Sequence, residues 1–156
     1  MAKANVDLTT TLGSVTLPNP VMTASGTAGY GSELSEYMDL QEVGAIVVKS
    51  LHADKWEGNL PPRLHPTPSG MLNSVGLQGP GIKAWLDEKL PSLRDSNARI
   101  VASIWGSTVK EFTEAALLLR DTPPEVVAIE INASCPNLED RRKLFSHSIQ
   151  AITEIV

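Results

Sequence analysis

The sequence predicts an α/β fold on a parallel sheet, with four consecutive strand–helix units, about half of a (β/α)8 TIM barrel. Short apolar, β-branched runs recur along the chain, and amphipathic segments stand between them. Such continuous runs suit strands covered on both faces, the situation of a strand inside a parallel sheet. A closed barrel takes about 250 residues; with 156 residues the count of units stops at four.

Residues 8–17 read as a small hairpin turning at Gly13, placed ahead of the first repeat to plug the bottom of a barrel. The four strands are Pro20-Val21-Met22-Thr23, Ala45-Ile46-Val47-Val48, Ile100-Val101-Ala102-Ser103-Ile104 and Val126-Val127-Ala128-Ile129-Glu130-Ile131. Helices are expected over 32–40, 82–94, 108–120 and about 146–156. The third has a capping box, Thr108-Val109-Lys110-Glu111, ahead of the stripe Phe112, Ala116, Leu119. Residues 51–80 hold five prolines and Gly58, Gly70, Gly76 and Gly79. A connection of that length is usually functional or disordered.

An open doubly wound sheet would carry a G-x-G-x-x-G turn after its first strand to receive a dinucleotide. Here Ser25-Gly26-Thr27-Ala28-Gly29-Tyr30-Gly31 has its glycines at other spacings.

Composition narrows the function classes. The chain is 42% hydrophobic and 20% charged, enough for a globular core. The net charge of -5 and scattered basic residues argue against a nucleic-acid partner. No run approaches the roughly 18 apolar residues that span a bilayer, and the N-terminus lacks a signal-peptide pattern, so a cytoplasmic protein without a membrane partner is expected. One cysteine, Cys135, excludes an internal disulfide. His52, His65 and His147 show no metal-ligand spacing, so no metal is expected and all three read as surface or loop residues.

Polar and glycine residues gather just after the strands: Ala24-Ser25-Gly26, Lys49-Ser50, and residues 132–137. In a parallel barrel these positions share the rim where active sites sit. Lys49 either meets an anionic partner or simply emerges at a strand tip. Asn73, Asn132 and Asn137 carry amides that both donate and accept, suited to a planar heterocycle, although loop asparagines also form turns. Cys135, followed by Pro136, is either a buried inert thiol or a base working near neutral pH.

Four stretches in order resemble the class 1 dihydroorotate dehydrogenases, particularly the NAD-linked type. They are Asn19-Pro20-Val21-Met22-Thr23-Ala24-Ser25-Gly26-Thr27-Ala28-Gly29-Tyr30-Gly31, Gly58-Asn59-Leu60-Pro61-Pro62-Arg63, Gly70-Met71-Leu72-Asn73-Ser74-Val75-Gly76-Leu77-Gln78, and Glu130-Ile131-Asn132-Ala133-Ser134-Cys135-Pro136-Asn137. The resemblance covers essentially the whole chain and implies that residues 1–156 are the N-terminal half of an FMN-binding (β/α)8 barrel. The remaining flavin contacts and the phosphate-binding glycines would come from later strands. Ala133, Lys55-Trp56 and residues 138–145 depart from the family pattern.

The implied reaction oxidises dihydroorotate to orotate in pyrimidine (UMP) biosynthesis. Cys135 would remove a proton from C5 while hydride leaves C6 for the flavin N5. Lys49 would touch both flavin and substrate carboxylate, with the backbone N–H groups of Gly76 and Leu77 also on the carboxylate. Asn73, Asn132 and Asn137 would bond the pyrimidine or flavin edges, and Ala24, Ser25, Gly26 and Ser50 would line the flavin. The resemblance further implies a homodimer core and a partner subunit that carries FAD and an iron–sulfur cluster and passes electrons to NAD. Two other readings share these residues: a flavin barrel acting on another pyrimidine such as uracil, and an inactive half-barrel that oligomerises through its unpaired edges.

Overall fold

In the computed structural model, which describes residues 6–135 and 143–156, the strands in chain order are β1 (Thr10–Leu12), β2 (Val15–Leu17), β3 (Ile46–Val47), β4 (Leu64–Thr67), β5 (Gly70–Asn73), β6 (Ile100–Ile104) and β7 (Val126–Ile131). The α-helices are α1 (Ile82–Ala84), α2 (Leu90–Asp95), α3 (Val109–Leu118) and α4 (Ile149–Ile155). The chain falls into two compact units: Met1–Lys49 with Lys89–Ser103 and Thr122–Glu130, and Ser50–Glu88 with Ile104–Asp121 and Ile131–Val156.

The expected hairpin is present in the first unit. Strands β1 and β2 pair antiparallel, Leu12 opposite Val15, across a two-residue turn whose first position is Gly13 at φ 57. Glycine at that position is the requirement of the tight hairpin turn. The hairpin's Leu17 is buried in a cluster with Ala45, Val47 and Val101, against which Val15, Met22, Val127 and Ala128 pack.

A three-stranded sheet in the order β3-β6-β7 is the parallel element of the mixed α/β architecture. Strands β3 and β6 are parallel, Ile46 facing Ile100 and Val47 facing Val101. Every residue of β6 is buried, as its continuous apolar run requires. The same apolar character runs through β7, yet β7 is only half-buried and Ile129 is exposed, because its one sheet neighbour is β6. Among the described residues no sheet closes on itself.

Three expectations need correction. The run Pro20 to Thr23 contributes a single parallel bridge, Met22 to Ala45, rather than a strand. The helix expected over 32–40 is two 3-10 turns, Glu33–Glu36 and Leu40–Glu42. Local side-chain caps win there: Glu33 folds back to accept from the Tyr30 and Gly31 N–H groups, and Asp39, in extended conformation, accepts from Gln41 N–H. Thirdly, residues 51–80 contain an antiparallel hairpin, β4 with β5, from Leu64 opposite Asn73 to Thr67 opposite Gly70.

The helical segment from Ile82 to Asp95 is interrupted by a π turn at Trp85–Lys89. Pro91 has no N–H for the carbonyl four residues earlier and its ring crowds that carbonyl, so the regular ladder cannot run through. In the second unit, α3 begins as expected: Thr108 accepts from Glu111 N–H at 3.2 Å. The Glu111 carboxylate reaches one residue further than the capping-box pattern, to Ser107 N–H at 2.5 Å. Helix α4 starts at Ser148, which caps Ala151 N–H.

Candidate active site

In the second unit, strand ends are tied side by side. Leu51 bridges Ile104 in parallel, Trp105 N–H donates to the Leu51 carbonyl at 3.0 Å, and Asn132 N–H donates to the Ile104 carbonyl at 2.9 Å. Ser50 is buried, and the Asn132 side-chain amide donates to its hydroxyl at 3.0 Å. The other end of the Asn132 amide, Oδ1, accepts from Ser134 N–H at 3.1 Å. One carboxamide thus joins two strand ends and turns the chain toward Cys135.

Cys135 is 1% exposed. Its carbonyl accepts from Phe145 N–H at 3.3 Å, and the Ala133 carbonyl accepts from Ser146 N–H at 3.0 Å, so the start of the 145–148 segment closes over the loop. Burial pushes the thiol up to about 11, partly offset by the Gly106 backbone amide. Gly106 is tightly placed, since a Cβ there would lie 2.9 Å from Glu111 Cβ and 3.1 Å from Phe112 N.

Asn73, Gly76 and Leu77 belong to the same unit. Asn73 ends β5, exposed, where it lines a cavity of about 230 Å³ with Pro62, Arg63, Leu64, His65, Leu72 and Ser74. Gly76 and Leu77 both have left-handed backbone, φ 72 and 57. For leucine this region is costly and persists only where surrounding contacts enforce it. Those contacts come from residues 56–59: Trp56 Nε1 donates to the Gly76 carbonyl at 3.0 Å, and Asn59 donates through its backbone and side chain to the carbonyls of Val75 and Ser74. Asn137 lies outside the described residues.

The first unit carries the other expected positions. Ala24, Ser25, Gly26 and Thr27 form a turn closed by Thr27 N–H on the Ala24 carbonyl at 3.1 Å, with Gly26 at φ 84. This is the third-position glycine of a type II turn. A Cβ on Gly26 would meet nothing within 4 Å, so its face is open to a flat ring. Lys49, half-buried, donates its backbone N–H to the Gly29 carbonyl at 2.9 Å and holds Nζ 5.4 Å from the centroid of the Tyr30 ring. That is a cation–π distance. Burial raises the Tyr30 phenol to about 12.

The reading of His52 as a surface or loop residue holds only in part; it lies in a loop but is 7% exposed. Its Nδ1 accepts from Asp54 N–H at 3.1 Å, and its ring packs on Trp105 and Trp56 with centroids 4.9 and 5.5 Å away. Nε2 stands 3.7 Å from Glu111 Oε2. No spacing rule flags this group; its only signal is an aromatic residue just past each of two strand ends. Among the described residues no cluster of metal-ligating side chains occurs and no helix is long and apolar enough to cross a membrane.

The dihydroorotate dehydrogenase family model matches residues 7–154. The chain is 44% identical over 153 residues to the dihydroorotate dehydrogenase B (NAD(+)) catalytic subunit of Geotalea daltonii, covering 98% of this chain and 50% of the relative. It is 51% identical over 134 residues to the protein of the same designation from Thermoanaerobacter pseudethanolicus, covering 86% and 44%. With that of Trichlorobacter lovleyi it shares 50% over 128 residues, covering 82% and 42%. The chain spans about half the length of these relatives. With this match running from the hairpin through α4, the chain belongs to the dihydroorotate dehydrogenase family.

Proposed function

We propose that this chain is the N-terminal half of an FMN-dependent dihydroorotate dehydrogenase, supplying the first four β-α units of a (β/α)8 barrel, and that Cys135 is its proton-abstracting base. The observation that carries the reading is the setting of Cys135: the chain's single thiol is buried on a loop at a strand end. A positioned group sealed from water is what a base needs to take a carbon-bound proton.

The residues present fit a flavin. Gly26 offers an open backbone face, and Lys49 would place a cation by the ring, where it favours negative charge. Ala24 and Ser25 would lie along the ring beside Gly26, and Ser50 and Asn132 are assigned flavin contacts as well. Bound FMN supplies the hydride acceptor; the protein supplies orientation and the proton acceptor. Asn73, Asn137 and the backbone of Gly76 and Leu77 bind the substrate ring and carboxylate in this reading. The left-handed backbone of Gly76 and Leu77 supports their part in it.

To take the C5 proton the Cys135 sulfur would act as a thiolate, the form that its burial in this chain disfavours. The relatives' designations, with "NAD(+)" and "catalytic subunit", support electron transfer to NAD through a second subunit; we assign it FAD and an iron–sulfur cluster, beside a homodimeric core in the cytoplasm.

The test uses the enzyme at the full length of its relatives, loaded with FMN and mixed anaerobically with dihydroorotate. Flavin absorbance is lost rapidly, and Cys135→Ser slows the loss by about 10²–10⁴-fold, the usual worth of a general base. Equal or faster bleaching by dihydrouracil would move the assignment to another pyrimidine. Absence of bleaching by either would sink it.

A further inference from the structure

We propose that Trp56 is a positioning residue for carboxylate binding: its indole N–H grips the Gly76 carbonyl and so aims the Leu77 N–H at the carboxylate. The inference deepens the reading of Gly76 and Leu77 as carboxylate ligands and rests on that reading for its functional meaning.

A trans peptide is planar, so its C=O and N–H point in opposite directions. The Gly76 carbonyl and the Leu77 N–H are the two ends of one such peptide, and Trp56 Nε1 donates to that carbonyl at 3.0 Å. In the preceding peptide, Asn59 N–H donates to the Val75 carbonyl at 3.1 Å, which turns the Gly76 N–H away from residue 59. Both carbonyls are therefore held by residues 56–59, and both N–H groups are directed away from them. Among the described residues neither N–H has an acceptor. Successive N–H groups presented in this way make a concavity for an anion. A donor on the carbonyl also polarises the N–H at the far end of the same peptide.

The surroundings of Trp56 hold it in that pose, all within the second unit. Its backbone exchanges two hydrogen bonds with Gly79, at 3.0 and 2.9 Å, so the residue stands opposite the end of the 76–79 segment. Its ring meets Trp105 edge-on with centroids 5.3 Å apart and lies tilted against His52 at 5.5 Å. Those two rings are buried and pack on each other at 4.9 Å, and Asp54 N–H donates to His52. The aromatic group is thus a rigid mount for one N–H donor. It gives His52 and Trp105, which no step of the proposed reaction uses, a part in holding the carboxylate loop.

The experiment uses the full-length, FMN-loaded enzyme with ¹³C at glycine carbonyls and ¹⁵N at leucine amides, so that NMR reads both ends of the Gly76–Leu77 peptide. Trp56→Phe keeps a ring in the cluster and removes the donor; should it fail to fold, Trp56→Met fills the space with a flexible side chain and carries the same comparison. Without any ligand, the Gly76 carbonyl resonance moves upfield in the variant. Orotate then binds about three- to tenfold more weakly than in the parent, the worth of one hydrogen bond. Uracil, the same ring without the carboxylate, binds as before. Acetate, a bare carboxylate, shifts the Leu77 amide of the parent and shifts it less in the variant. An unmoved Gly76 carbonyl overturns the proposal, and so does orotate affinity equal to the parent's. Equal weakening of orotate and uracil overturns it too, since the indole would then be a packing element alone. A parent that binds neither pyrimidine sinks the dihydroorotate reading, and acetate then decides by itself. A Leu77 amide that responds to acetate in the parent and less in the variant upholds the role of Trp56; one that does not respond ends it.

Discussion

Asn132 and Ser50 are joined by a 3.0 Å hydrogen bond across 82 positions of sequence, and the same Asn132 side chain caps Ser134 two residues on. An aspartate at 132 can still accept from Ser134 N–H and take a bond from the Ser50 hydroxyl, whereas alanine loses both. We expect Asn132→Ala to cost about 1–3 kcal/mol and Asn132→Asp distinctly less, from urea denaturation. Equal costs would show that the bonds to this side chain contribute nothing.

Two glycines with similar backbone should respond very differently to alanine. Gly13 has φ 57 and open space where a Cβ would stand. Gly58 has φ 70, and its Cβ would land on the Val75 carbonyl oxygen. Gly13→Ala therefore meets only backbone strain, about 1 kcal/mol. Gly58→Ala also pushes residues 56–59 off the Val75–Leu77 segment and should cost roughly 2–4 kcal/mol. Thermal unfolding of the two variants separates them; equal losses would remove Gly58 as a packing constraint.

These contrasts mark what a sequence can reveal. The hairpin at Gly13, the buried run of β6 and the Thr108 cap were legible because each depends on neighbours in the chain. The 32–40 segment misled because Glu33 and Asp39 spend their carboxylates on local N–H groups, a competition that helical periodicity does not register. At the candidate site, the motif around Cys135 was visible as a resemblance, but the Asn132–Ser50 tie and the buried His52 beside Glu111 depend on long-range pairing of strand ends. No local pattern encodes such pairing.

Phe145 gives a sharper test of what covers the thiol. It is fully buried, meets the Phe112 ring edge-on with centroids 5.3 Å apart, and donates its N–H to the Cys135 carbonyl. Truncation to alanine leaves a ring-sized cavity and should cost about 3–5 kcal/mol, with Phe145→Leu losing less. Cys135 should also become reactive toward a thiol reagent in native Phe145→Ala protein while remaining protected in the parent. Protection unchanged in the variant would show that the ring plays no part in sealing the sulfur.

The raised ionisation of Cys135 also makes stability depend on pH in a way that can be assigned to one atom. Burial moves the thiol from its ordinary 9.0 to about 11, so the folded state favours the protonated form more than the unfolded chain does. The associated stability is fully present below about pH 9, falls as the unfolded thiol begins to ionise, and is gone above about 11. A displacement of that size is worth roughly 2–3 kcal/mol. Tyr30, raised from 10.0 to about 12, adds a second loss between about pH 10 and 12, overlapping the first, that does not involve the thiol. Urea midpoints of the parent and of Cys135→Ala should therefore draw together or cross between about pH 9 and 11, with the parent falling faster, while the loss from the phenol is common to both and leaves their difference unchanged. Curves that stay parallel throughout that window would mean that the sulfur is solvated in the folded chain, and with it the sealed base proposed for this site would go.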